Sequence, residues 1–197
     1  MTPPVARWRH AANGAALLAV LSVASVVLHT TPNRELQHSP MVVPATLTEP
    51  ASGRDLRATV HSVAVTEAVT AGNGWAGSTP GVWVVVELSV EAVVEDRDRT
   101  LGTAVLRVGD TEYSASTRPG TATLVSGRPA TGIPLTGPLM FELPADVVSA
   151  PAAERATLEL ARNSDPRVDS LLVMPVDLAA LDVQPSIDVD LPHWGVR

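Results

Sequence analysis

Cysteine is absent from this 197-residue chain. Its absence removes disulfides, thiolate nucleophiles, cysteine-rich zinc sites and an acylated N-terminal cysteine together. Lysine is missing as well, so all 14 basic residues are arginine, a bias that reads as genomic rather than physical. Aromatic residues are only 3% of a chain that is 45% hydrophobic, so its core is built from many small aliphatic side chains. Clustered positive charge is also scarce. The formal net charge is −7, and Arg7 and Arg9 precede the apolar N-terminal run, which leaves the remainder more acidic still. A generic nucleic-acid grip is thereby disfavoured, because neutralising phosphates takes clustered cations. The histidines His10, His29, His38, His61 and His193 are scattered without the spacing of a zinc-binding helix or strand. Neither a metal nor a cofactor is expected from them. There is no Gly-x-Ser-x-Gly elbow, although a serine triad assembles in space and is not settled by spacing. The glycines around Asn73 precede a strand pattern, not a helix, so they do not cradle a phosphate. Taken together, these residues point away from an enzyme.

The strongest positive signal is Val82 to Val94, Val-Trp-Val-Val-Val-Glu-Leu-Ser-Val-Glu-Ala-Val-Val. Val82, Val84, Val86, Leu88, Val90, Ala92 and Val94 form one apolar face, while the other begins with Trp83 and Val85 and then turns polar at Glu87, Ser89 and Glu91. Period two over this length predicts the central strand of an all-β domain, buried on both faces at its start and on one face later. The 17 prolines and 13 glycines favour short strands and turns over long helices.

At the N-terminus, residues 1–10 carry Arg7, Arg9 and His10, and Ala11 to Leu28 carry no charge. As a helix that run spans about 27 Å, close to the thickness of a bilayer's hydrocarbon core. It is read as an uncleaved membrane anchor in preference to a secretion signal. The best small-x-small site, Ser22-Val23-Ala24, sits inside the run with Val26, Val27 and Leu28 still to come. Positive charge before the run sets the N-terminus in the cytoplasm and the rest outside. Residues 29–55, with Pro32, Pro40, Pro44 and Pro50, read as an extended stalk.

From Leu56 to Leu178 the pattern is strand and turn. Strands are expected at Leu56–Ala68, at Thr103–Val108 and Thr111–Ser116 around the two-residue loop Gly109-Asp110, at Ala122–Ser126, at Pro138–Leu143, at Ala156–Ala161 and at Ser170–Leu178. Pro175 pushes the last toward a sheet edge or a bulge. Seven or eight short strands in this span predict a β-sandwich of immunoglobulin type. Residues 179–197 lose the pattern and form a tail, either docked or free.

The anchor, the stalk, Gly-Val-Trp-Val-Val-Val-Glu-Leu, the Gly-Asp hairpin followed by Tyr113, Phe-Glu-Leu-Pro at Phe141 to Pro144 and Leu-Leu-Val-Met-Pro-Val-Asp-Leu at the close of the domain carry a resemblance. They resemble actinobacterial envelope proteins of unknown function with an immunoglobulin-like, telokin-like or DUF4352-like domain. That resemblance implies a surface accessory module without assigned catalysis. Its lipid-anchored members acylate a cysteine that this chain lacks.

Two further features invite function. The acidic turn Glu95, Asp96 and Asp98 could hold calcium, but Arg97 and Arg99 between them favour a self-neutralised turn. Trp75, in a glycine-rich loop, and Trp194, in the tail, are the candidate partner-binding residues, weighed against the plainer reading that each covers an end or edge of the sandwich. The expectation is therefore a single-pass membrane protein whose extracytoplasmic β-sandwich is a non-catalytic interaction module, engaging the membrane through residues 11–28 and another envelope protein through the sandwich. The alternative is a sandwich that senses or binds a small ligand or ion.

Overall fold

The computed structural model describes residues 4–30, 39–94, 100–167 and 169–195. It divides into two compact units, Met1–Ser39 and Pro40–Arg197. The first contains helix α1, Pro4–Thr30. From Trp8 to Thr30 its mean hydropathy is 2.1 and none of that stretch is buried. The helix is long and apolar enough to cross a membrane, as an anchor or a signal sequence would be.

The second unit is a two-layer β-sandwich. The smaller sheet has the order β1-β9-β8-β5-β6, from Met41–Pro44, Ser170–Val176, Ala156–Ala161, Thr103–Val108 and Thr111–Ser114. The larger has the order β10-β3-β4-β7-β12, from Val183–Gln184, Leu56–Ala71, Ala76–Ala92, Leu135–Leu143 and His193–Trp194. Two short strands, β2 (Ala51–Ser52) and β11 (Ile187–Val189), also pair with β3.

Alternation builds the core. Val84, Val86 and Leu88 of β4 and Leu139 and Phe141 of β7 meet Leu106, Leu158, Leu160 and Met174 of the opposing sheet, all fully buried. Strand β4 lies between β3 and β7, as its apolar period requires. The hairpin at Gly109-Asp110 forms as expected, with Gly109 at φ +59°, the positive value a two-residue turn needs at its first position. Pro175 pairs with Thr157 of β8 and lies two residues past the end of β1's ladder, where its missing N–H costs nothing.

The outer face of the larger sheet is covered where the sequence leaves it open. Beyond Thr66↔Trp83 the β3–β4 ladder resumes at Ala68↔Ser78, so four residues of β4, Thr79 to Val82, stand against Glu67 alone on β3 and make a corner. Gly81 permits it, since a Cβ there would run into the Leu143 carbonyl. The hairpin arm past this corner lays Val69, Ala71 and Trp75 over Trp83, Val85 and Met140, and Ile187 and Val189 of the tail join them.

Three boundaries differ from the sequence reading. The stretch read as stalk supplies β1, paired parallel with β9, and β2, paired with β3. Strands this short, set between prolines, have no period to detect. The tail is not patternless: β10 and β11 run parallel to β3, and β12 pairs antiparallel with β7. Ala122–Ser126 is not a strand but part of two 3-10 turns, Gly120–Ala122 and Leu124–Ser126. Glu95, Asp96 and Asp98, with their calcium reading, lie outside the described residues.

Candidate binding cleft on the larger sheet

Past the Trp83 cluster, the outer face of the larger sheet turns polar and holds a cleft of about 290 Å³. Pro50 and Pro134 wall it with apolar rings, the backbones of Ala58 and Val90 run along its floor while their side chains face the core, and Arg57, His61, Ser89 and Glu91 supply its polar groups. The β3–β4 ladder slips between Val60 and Ser62, and this bulge re-aims His61. Its Nε2 lies 2.7 Å from Ser89 Oγ, which lies 2.6 Å from Thr136 Oγ1, which donates to the Gly195 carbonyl at 2.7 Å. Ser89 and Thr136 are buried.

Proton counting fixes the direction of this chain. Thr136 has one hydroxyl proton and gives it to a carbonyl, which can only accept. Ser89 must then donate to Thr136, and His61 Nε2–H must donate to Ser89. The serine proton thus points away from the imidazole, opposite to the arrangement in which histidine activates a serine nucleophile. The close His61–Ser89 pair is an orienting contact, and neutral His61 is held as the Nε2–H tautomer with Nδ1 as an acceptor. Beside it, Arg57 donates to Ser52 Oγ at 3.0 Å and meets Glu91 at 3.4 Å, so the charged pair at the cleft neutralises itself.

The two candidate tryptophans are in different settings. Trp75 packs edge-on against Trp83, ring centroids 5.6 Å apart at 89°. The Arg118 guanidinium lies 5.4 Å from the centroid of the Trp83 ring and is held at 2.6 Å by Glu142. Trp75 is thus a half-buried cover of the sheet. Trp194 is 55% exposed, although its backbone is in the ladder opposite Leu135 and Gly195 N–H donates to the Pro134 carbonyl at 2.8 Å. The tail docks through its backbone while this side chain stays in solvent.

Two other polar clusters stand out. Over β5, β6 and β8 a depression of about 460 Å³ is lined by Arg107, Glu112 and Glu159. Glu159 grips Arg107 with two bonds of 2.6 and 3.1 Å and Glu112 adds one of 2.6 Å. These bonds, Glu159's first, raise the guanidinium's pKa further and commit its charge. The second cluster lies where the β2–β3 turn meets the β8–β9 connection. Arg162 is 3% exposed, and its guanidinium nitrogens make no hydrogen bond among the described residues. Burial first, and then neighbouring Asp169, push the Asp55 carboxyl up from its ordinary value, while Arg162 pulls it back. Asp169 accepts from the Asn163 amide and from Ser170 N–H, and Ser170 Oγ accepts Arg54 N–H at 2.8 Å.

The sequence gives no notice of the cleft. His61 is noted there only as one isolated histidine, and Ser89, Thr136 and Gly195 come together only once the ladder registers are set. Among the described residues, no group of three or more His, Asp or Glu side chains could hold a metal.

No family model and no curated protein matches the chain. Two solved structures are similar to it in fold. One is the "putative lipoprotein" of Staphylococcus aureus subsp. aureus NCTC 8325, with TM-score 0.46 and 8% identity over 73% of this chain and 97% of that one. The other is an uncharacterized β-sandwich protein of Clostridium difficile 630, with TM-score 0.45 and 9% identity over 74% of this chain and 99% of that one.

Proposed function

We propose that this chain is a membrane-tethered, non-catalytic interaction module of the cell envelope. In this reading α1 is an uncleaved anchor with the N-terminus in the cytoplasm, and the sandwich, of the immunoglobulin-like kind that the sequence resembles, engages another envelope protein from outside. The observation that carries it is the exposed apolar stretch Trp8–Thr30. Leu17, Leu18, Val23 and Leu28 are each more than half exposed, a surface that a bilayer covers and water penalises. The direction of the His61–Ser89–Thr136 chain supports a role in binding over hydrolysis.

The test is membrane topology. Fused after Arg197, a reporter active only in the cytoplasm should stay silent, and the full-length chain should resist alkaline extraction from membranes. Reporter activity, or release of a shortened chain, would overturn the reading. The cleft favours one second reading, a sandwich that binds a small ligand. A metabolite or cation that raises the melting temperature of the chain would select it.

A further inference from the structure

We infer that the cleft between Pro50, Val90 and Pro134 is a peptide-binding site, and that it takes an uncharged extended segment which inserts an aliphatic side chain and donates a backbone N–H to His61 Nδ1. The inference rests on the interaction-module reading and names the chemistry of the partner.

Three observations select this occupant. The volume, about 290 Å³, is at the small end of ligand sites and suits one or two aliphatic side chains better than a large cofactor. The charges cancel, since Arg57 and Glu91 pair with each other across β3 and β4, so a charged ligand finds no free counter-ion there. The relay from His61 through Ser89 and Thr136 to Gly195 fixes the tautomer, so the exposed imidazole offers an acceptor. A peptide N–H beside a Leu or Val side chain supplies the matching donor and apolar body. The tail takes part without touching the ligand: Gly195 is a positioning residue, because its carbonyl orders every proton in the relay.

The experiment uses the full-length, uniformly ¹⁵N-labelled chain in detergent micelles and the probe N-acetyl-leucinamide, compared with a counterpart methylated on every amide nitrogen. Above the range in which histidines titrate, the ¹⁵N shifts of His61, identified by their loss in His61→Phe, should report the Nε2–H tautomer. The probe should give saturable shifts at Ala58, Val90 and His61. The methylated counterpart, and the probe on His61→Phe, should bind about three- to tenfold more weakly, the loss of one hydrogen bond. In Thr136→Val, Ser89 loses its acceptor and turns to His61, so the tautomer should move to Nδ1–H and the probe should weaken equally. Ser89→Ala, which leaves the Thr136–Gly195 bond in place, should instead give a mixture of tautomers. An Nδ1–H tautomer in the unmodified chain, absence of saturable shifts, or binding indifferent to N-methylation and to His61→Phe would each overturn the inference. None of these results would alter the topology result for α1.

Discussion

Replacing Trp83 by alanine tests whether the hairpin arm and the tail seal the outer face of the larger sheet. Trp83 is fully buried on the face that, in a simple sandwich, looks toward solvent. Removing a buried tryptophan costs about 3–5 kcal/mol, and here it also removes the edge-on contact with Trp75, worth about 0.5–1.5 kcal/mol within that total. At about 2–4 °C per kcal/mol for a domain of this size, the melting temperature should fall by about 6–20 °C. Trp75→Ala, at a half-buried position, should cost about 1–3 kcal/mol. Because the two rings touch at 5.6 Å, the double variant should cost less than the sum of the two by about 0.5–1.5 kcal/mol. Urea unfolding of the full-length chain in micelles, followed by circular dichroism, measures all four corners of the cycle. A Trp83→Ala cost below about 1 kcal/mol, or additivity within about 0.3 kcal/mol, would refute a sealed outer face.

Three further outcomes follow from the same geometry. Asp55 has a folded-state pKa raised above its ordinary carboxyl value, so its contribution to stability is fully present below that value and is lost as pH rises through the folded pKa. Denaturation midpoints measured against pH should accordingly fall less steeply above about pH 4 in Asp55→Asn than in the unmodified chain, and a steeper fall would reverse the assignment. Arg162→Met removes the buried cation that offsets Asp55 and Asp169 and should lower stability in urea unfolding by up to about 3–5 kcal/mol, whereas an unchanged or raised urea midpoint would show that the guanidinium does not compensate the two carboxyls. Deleting residues 192–197 removes the backbone bonds at Pro134 and Thr136 and should cost about 1–3 kcal/mol in thermal melting, while Trp194→Ala should stay within about 1 kcal/mol; the reverse order would mean that the side chain and not the backbone does the docking.

What could be read in the sequence follows from what leaves a period. Strand β4 alternates without interruption through its core residues, and β8 and the Gly109-Asp110 hairpin are set by local chemistry, so all three were visible. Strands β1, β2, β10, β11 and β12 are two to four residues each and owe their existence to an edge already built. Burial of Trp83 and Val85 on the outer face was legible as an apolar start to β4, but not its cause, a corner at Thr79–Val82 that folds a hairpin arm back over the sheet. The cleft was least legible, because a bulge at His61, a turn at Pro134 and the penultimate segment of the chain meet there from three distant places. Of the two tryptophans singled out, Trp75 is half-buried against Trp83 and Trp194 is an exposed ring on a docked backbone. Those two outcomes differ in side-chain burial, which the local sequence does not encode.

The parallel pairing of β1 with β9 has a mechanical consequence. Any pull transmitted along the connection from α1 enters the sandwich at Met41, whose N–H donates to the Asp169 carbonyl at 2.8 Å, and is carried by four rungs, Met41↔Ser170 to Pro44↔Val173. Tension along the strand axis shears those rungs together, and tension across it peels them one at a time from Met41. Strand β1 meets that load as an edge strand held by β9 alone, whereas β9 is held by β8 on its other side as well.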